Sequence, residues 1–156
     1  MNVQHWIFDA YNVMHALNYI DANTTQDFEL ARERFISWMQ NFQNQGTHKV
    51  TLVFDSNTPQ DCQEYHKINV IFSPRGFNAD GTILLLVRNT HVSQRPNITV
   101  VTRDFMLRDA LFAYKCIVIS PESFAREFAH CQSHHDKSQS RYLKSQGRFY
   151  QPFKNI

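Results

Sequence analysis

Trp6-Ile7-Phe8-Asp9-Ala10-Tyr11-Asn12-Val13 reads as a buried strand that stops at an acid and turns directly into a helix. The apolar run up to Phe8 suits a strand covered on both faces. Asp9 then stands at the carboxyl end of that strand, where open parallel sheets place their ligands. Asn12 follows about one helical turn later, so its amide can face the same crevice. The theme recurs in Val53-Phe54-Asp55, Asn78-Ala79-Asp80 and Thr102-Arg103-Asp104, each with an acid beside a strand end or helix start.

Outward from this stretch, strands and helices alternate. The first helix is expected from Ala10 to about Asn18. Thr24 or Thr25 can cap the next, with Asp27 and Glu29 in a first turn that suits the helix dipole. Phe28, Ala31, Phe35, Trp38 or Met39, and Phe42 recur at helical spacing up to Gly46, and such a stripe is the side packed on a sheet. Further strands are expected at 50–54, 68–72, 98–101 and 116–119. The helix beginning near Ala79-Asp80 carries Ile83 to Val87, apolar nearly all round, and is expected to be heavily buried. A helix after Asp104 should run through about Tyr114. Ser120-Pro121-Glu122 combines a capping hydroxyl, a first-turn proline and an acid, and should open a last helix to about Cys131. This alternation predicts an α/β domain with a five-stranded, mainly parallel sheet covered on both faces.

The 156 residues suffice for one domain with a sizeable core, and 42% hydrophobic content with 13 Phe can fill it. Cys62, Cys116 and Cys131 make no paired framework, and Cys116, opening an apolar run, reads as a small core hydrophobe. No stretch has a signal-peptide layout or membrane-spanning length, so a reducing cytoplasm is expected. The net charge of +2 is unevenly spread. Residues 137–156 hold five basic side chains and no acid, whereas the remaining 136 carry 11 basic and 14 acidic ones. The division expected is a domain over 1–136 and a basic-aromatic tail over 137–156, which suggests a polyanionic partner.

Several α/β chemistries are excluded. The first strand–helix turn has no glycine-rich loop, and neither a Walker lysine loop nor a nucleophile elbow occurs. Position 11, where aspartyl-phosphate phosphatases carry a second Asp, is Tyr11. What remains is a set of acids without a nucleophilic Ser or Cys. One Asp at a strand end is usually a cap or turn former. Four that converge would repel, and one would keep its proton unless a cation neutralised them. Oxygen-only ligands suit Mg²⁺ or Mn²⁺, ions that activate water in phosphodiester cleavage. His130, Cys131, His134 and His135 lack a matched second half for structural zinc. His15 and His66 are candidate proton shuttles or simply solvated or core histidines. A flavodoxin-like small-ligand protein is a further reading of the same fold class.

The run Asp9-Ala10-Tyr11-Asn12-Val13-Met14-His15, followed in order by Leu52-Val53-Phe54-Asp55, Val70-Ile71-Phe72-Ser73, Asn78-Ala79-Asp80 and Val101-Thr102-Arg103-Asp104, resembles the YacP-like branch of the NYN domains, within the PIN-like nuclease superfamily. The likeness covers roughly residues 3–130. It implies a three-layer PIN-like fold with strand order 3-2-1-4-5 and a metal-dependent endoribonuclease; in-line attack by metal-activated water would then leave 5′-phosphate ends. Carried over position by position, Asp9, Asn12, Asp55, Asp80 and Asp104 match the family's polar catalytic site, with Asp9, Asp80 and Asp104 as ligands of Mg²⁺ or Mn²⁺. Gly81 departs from the pattern, since relatives often have a second acid there, and Asp109 is a candidate replacement. Members of the superfamily are not all active, so an RNA-binding or ribosome-associated module without catalysis is the alternative. The expected partner is RNA, in single-stranded form.

Arg75 and Arg103 flank the acids and can hold phosphate. In the tail, Arg141, Lys144 and Arg148 would share one helical face, interleaved with Tyr142, Phe149, Tyr150 and Phe153. Basic side chains can follow a phosphate backbone while aromatics stack on unpaired bases. The plainer reading packs those aromatics on the body.

Overall fold

The computed structural model describes residues 3–19, 28–46, 48–55, 68–74 and 76–135, the last seven as backbone only. In chain order these form β1 (Gln4–Asp9), α1 (Ala10–Ala16), α2 (Phe28–Asn44), β2 (His48–Phe54), β3 (Asn69–Phe72), α3 (Ala79–Asn89), a 3-10 helix (Val92–Asn97), β4 (Ile98–Val101), α4 (Phe105–Phe112), β5 (Ile117–Ile119) and α5 (Pro121–His135). All strand pairings are parallel, and the sheet order is β3-β2-β1-β4-β5, as the resemblance implied. The chain order reverses on the two sides of β1, which makes the gap between β1 and β4 the switch point of the sheet.

Alternation along each strand divides the core in two. Phe8, Leu52, Phe54 and Val101 face a layer built from α1, α2 and α5, where Phe35, Trp38, Met39, Phe42, Phe124 and Phe128 are buried. Ile7, Val53 and Val100 face the other way, against Ile83 and Val87 of α3 and Leu107 and Leu111 of α4. The aromatic stripe of α2 is therefore core. Its rings interlock edge to face, Trp38 with Phe124 at 5.6 Å and with Phe128 at 5.0 Å, which adds geometric preference to simple burial.

Register places the site. Phe8 pairs with Val101 and Asp9 with Val53. The residue after Val101 is Thr102, so its side chain comes level with Asp9 at the end of the ladder. Asp55 lies two residues beyond Val53, about 7 Å further toward the rim, and is exposed while Asp9 is buried.

Two expectations need correction, and one element is new. The α3 helix buries only Ala79, Ile83 and Val87, and Leu85 is 50% exposed. One stripe of α3 meets the sheet and α4, and no described element covers its outer side. Cys116 is half-buried; it packs against the second core and lies 3.8 Å from the Leu111 carbonyl. The 3-10 helix was not foreseen. Arg95 secures it, donating to the carbonyls of Arg88 and Thr90 and stacking over Tyr114. The expected caps Thr24 and Thr25, and the segment 136–156, lie outside the described residues. Among the described residues no helix is long and apolar enough to cross a membrane.

Candidate functional site

Asp9 occupies the N-cap position of α1 but caps nothing: its carboxylate makes no bond to the helix N–H groups. It is 7% exposed, and its Oδ2 accepts a hydrogen bond from the Thr102 hydroxyl at 2.9 Å. The Thr102 oxygen in turn accepts from the Asp104 backbone N–H at 3.1 Å. One buried hydroxyl thus ties the end of β1 to the start of α4, and it links positions 93 apart in sequence.

Asp104 does serve as a cap. Its Oδ1 accepts from Met106 N–H at 2.9 Å and from Leu107 N–H at 3.4 Å, which suits an anion at a helix N-terminus. Asp80 does not cap α3, because Asn78 does, with its Oδ1 accepting from Gly81 N–H at 2.8 Å. Asp80 is left to meet Asp104 side chain to side chain. Asp55 accepts from the Ser73 hydroxyl at 3.3 Å, across the ends of β2 and β3. Asn12 Oδ1 accepts from the Arg103 backbone N–H at 2.7 Å and so pins the β4–α4 loop to α1.

The four carboxylates share one field. Burial pushes the Asp9 carboxyl up to about 7; the Thr102 hydrogen bond opposes this, and the charges of Asp80, Asp104 and Asp55 add to it. Asp80 is pushed up to about 6, first by burial, then by its hydrogen bond to Asp104 and the charges of Asp104 and Asp55. Tyr11 is raised by burial, against a hydrogen bond and the charge of Arg32 and with the charge of Asp55. Its ring lies between Phe28 and Phe54, each centred 5.0 Å away.

These groups fit a hard divalent cation. All the donors are oxygen, and like charges that hold protons near neutral pH are what a cation relieves. Among the described residues no three His, Cys, Asp or Glu side chains close into a metal-ligand set. Mg²⁺ keeps several of its waters and takes only one or two carboxylates directly.

Other sequence candidates fall elsewhere. Arg103 is paired with Glu122 of α5, so its charge is already engaged. Asp109 and His15 are exposed. Gly81 lies against the Phe77 ring and lines a groove between α3 and α4, so a side chain there would enter that groove. Arg75, Arg141, Lys144, Arg148 and His66 lie outside the described residues, as do the side chains of the His130 to His135 group. Sequence reasoning missed Thr102 as the hydroxyl that holds Asp9, and Arg32 beside Tyr11. The alignment of Thr102 with Asp9 was recoverable only from sheet register.

Acids gathered at the switch point of a parallel α/β sheet stand where such folds place their ligands. The chain belongs to the YacP-like NYN domain family, whose model matches residues 6–154. Membership makes it a nuclease-type domain of the hydrolase class with RNA as its substrate class, and such domains generally depend on a divalent metal. The crystal structure of Rae1 (YacP) from Bacillus subtilis is similar at 22% identity and TM-score 0.73, over 94% of this chain and 84% of that one. A mutant form of the same protein matches at 24% identity and TM-score 0.73, over 92% and 85%. These likenesses show the fold. No curated protein matches the chain.

Proposed function

We propose that the protein is an endoribonuclease that hydrolyses single-stranded RNA with Mg²⁺ or Mn²⁺ and leaves 5′-phosphate ends. The observation that carries this reading is the common field of Asp9, Asp55, Asp80 and Asp104 at the carboxyl edge of the sheet. Asp9, Asp80 and Asp104 would hold the cation. When bound, it lowers the pKa of water and stabilises charge on the leaving oxygen.

The chain's own residues do the rest. Thr102 fixes the rotamer of Asp9, so that its second oxygen faces the crevice from a set position. Asp104 spends one oxygen on the α4 cap and keeps the other for the site. Asp55, at the rim and steadied by Ser73, orients the attacking water. Asn12 holds the Arg103 loop and so fixes Asp104, and its amide can contact a phosphate. The water oxygen bonds to phosphorus, and the bond to the 3′ oxygen breaks. That oxygen leaves as a 3′-hydroxyl: one proton of the attacking water passes to it through solvent, and the other stays with the new 5′-phosphate or ionises to solvent. The basic-aromatic segment 137–156, with Arg141, Lys144 and Arg148, would follow the RNA backbone, as would Arg75. A cytoplasmic location and a ribosome-bound substrate are compatible with this reading.

A second reading is RNA binding or ribosome association without cutting, since among the described residues the acids do not close into a metal-ligand set. End mapping separates the two. Metal-supplemented protein should give fragments with 5′-phosphate and 3′-hydroxyl termini. Fragments with 2′,3′-cyclic phosphate, or none at all, would overturn the proposal.

A further inference from the structure

Phe77 is 60% exposed although it lies three residues from Asp80. It is displayed, not frayed. The Phe77 N–H donates to the Pro74 carbonyl at 2.9 Å, and Gly76 at φ +90° supplies the left-handed backbone this turn needs. A Cβ at position 81 would stand 3.7 Å from Phe77 Cδ1 and 3.3 Å from Asn78 Oδ1. Glycine there leaves the ring at the mouth of a groove of about 400 Å³ between α3 and α4. That volume lies within the range of small-ligand pockets. The groove runs along Leu84 and Leu85 to Arg88, about 10 Å from Gly81 along the helix. Among the described residues no carboxylate pairs with the Arg88 guanidinium.

One end of this groove therefore adjoins Asp80, the residue before the Gly81 that lines it. Its mouth is an exposed aromatic ring, its walls are apolar, and its far end is an unpaired cation. We propose that it seats an unpaired nucleotide next to the bond that is cut, its base stacked on Phe77 and a neighbouring phosphate at Arg88. Stacking on one ring tolerates any base, because each has a π-face. The groove thus selects single strands over duplex without reading sequence. The departure at Gly81 gains a role, since an acid there would place negative charge where the nucleotide lies. This inference rests on the RNA-cutting reading above and names the subsite next to it.

The test is binding of a single-stranded oligoribonucleotide in EDTA, where nothing is cut, with one abasic residue walked along the strand. Phe77→Ala should weaken the intact strand about five- to hundred-fold and leave the salt slope unchanged. The loss should vanish for one abasic position, and Phe77→Tyr should restore binding. Arg88→Ala should flatten the slope of log affinity on log salt by about 0.7. Equal thermal midpoints exclude unfolding as the cause. If wild type binds but Phe77→Ala binds equally, or loses affinity at every abasic position alike, the groove is not the subsite. Self-association abolished by Phe77→Ala at unchanged RNA affinity would assign the groove to a second copy and overturn the proposal. If wild type itself binds no RNA, the RNA-cutting reading falls first and this one with it.

Discussion

Replacing Asp9 with Asn should stabilise the metal-free protein while removing its chemistry. Asp9 is 7% exposed, and its carboxyl is pushed from 3.8 up to about 7, chiefly by burial and then by the neighbouring acids against the Thr102 bond. Each tenfold change in proton affinity corresponds to about 1.4 kcal/mol. The native state binds the extra proton between pH 3.8 and about 7, so wild-type stability falls as pH rises through that window and stays reduced above it. The whole rise in proton affinity would amount to about 4 kcal/mol, and relaxation of the site brings the expected penalty to roughly 2–4 kcal/mol. Asn keeps an oxygen for the Thr102 hydroxyl and carries no charge. Asp9→Asn should therefore match wild type near pH 4 and exceed it by roughly 2–4 kcal/mol at pH 8, or roughly 5–15 °C in thermal midpoint. Urea denaturation in EDTA across this pH range measures it. Saturating Mn²⁺ should then raise the midpoint of wild type more than that of the variant. A difference that is flat with pH, or an Asn variant less stable at pH 8, would refute the account of a buried, mutually repelled carboxylate.

Thr102→Val keeps shape but deprives Asp9 of its donor and Asp104 N–H of its acceptor; it should cost about 1–3 kcal/mol in denaturation and slow cleavage. Asn12→Ala frees the Arg103 N–H and should cost about 1 kcal/mol in denaturation, with a larger fall in kcat than in KM because it lets Asp104 drift. His5, held near 4 by burial and by the charge of Lys49, is protonated in the unfolded chain below about 6.5, so its contribution to stability falls as pH drops from 6.5 to 4; His5→Gln should flatten that part of a pH–midpoint curve. Truncation after Ser138 should weaken single-stranded RNA binding and flatten a salt slope of roughly −2 to −3.5, the value for three to five phosphate contacts, while Mn²⁺ binding persists.

Much of the fold is carried by local pattern. The apolar run ending at Asp9 and the alternating blocks that follow specify strands and helices with little competition, and α2 announces its buried stripe by spacing alone. The order of strands came from family resemblance, because nothing local to β1 says that β4 lies on its other side. Single-residue roles were harder to read. An Asp before a helix is ambiguous in any sequence: Asp104 caps α4 and also faces the acids, whereas Asp9 in the same position caps nothing. Asn78 took the cap that would have occupied Asp80, and this freed the carboxylate. Arg103, expected at phosphate, is drawn to Glu122, a partner from a helix two elements later. Leu85 looked like core because helix composition carries no record of which sides have neighbours. Thr102 was invisible as a ligand to Asp9 because its role depends on the register between β1 and β4.

The most direct measurement of the central claim is cleavage of single-stranded RNA by wild type and Asp9→Asn in Mn²⁺, each with an EDTA control and each verified as folded. Wild type should cut, EDTA should stop it, and Asp9→Asn should lose most of the rate at equal or greater stability. Equal cleavage by the two proteins in Mn²⁺, or cleavage that persists in EDTA, would contradict the carboxylate site described above.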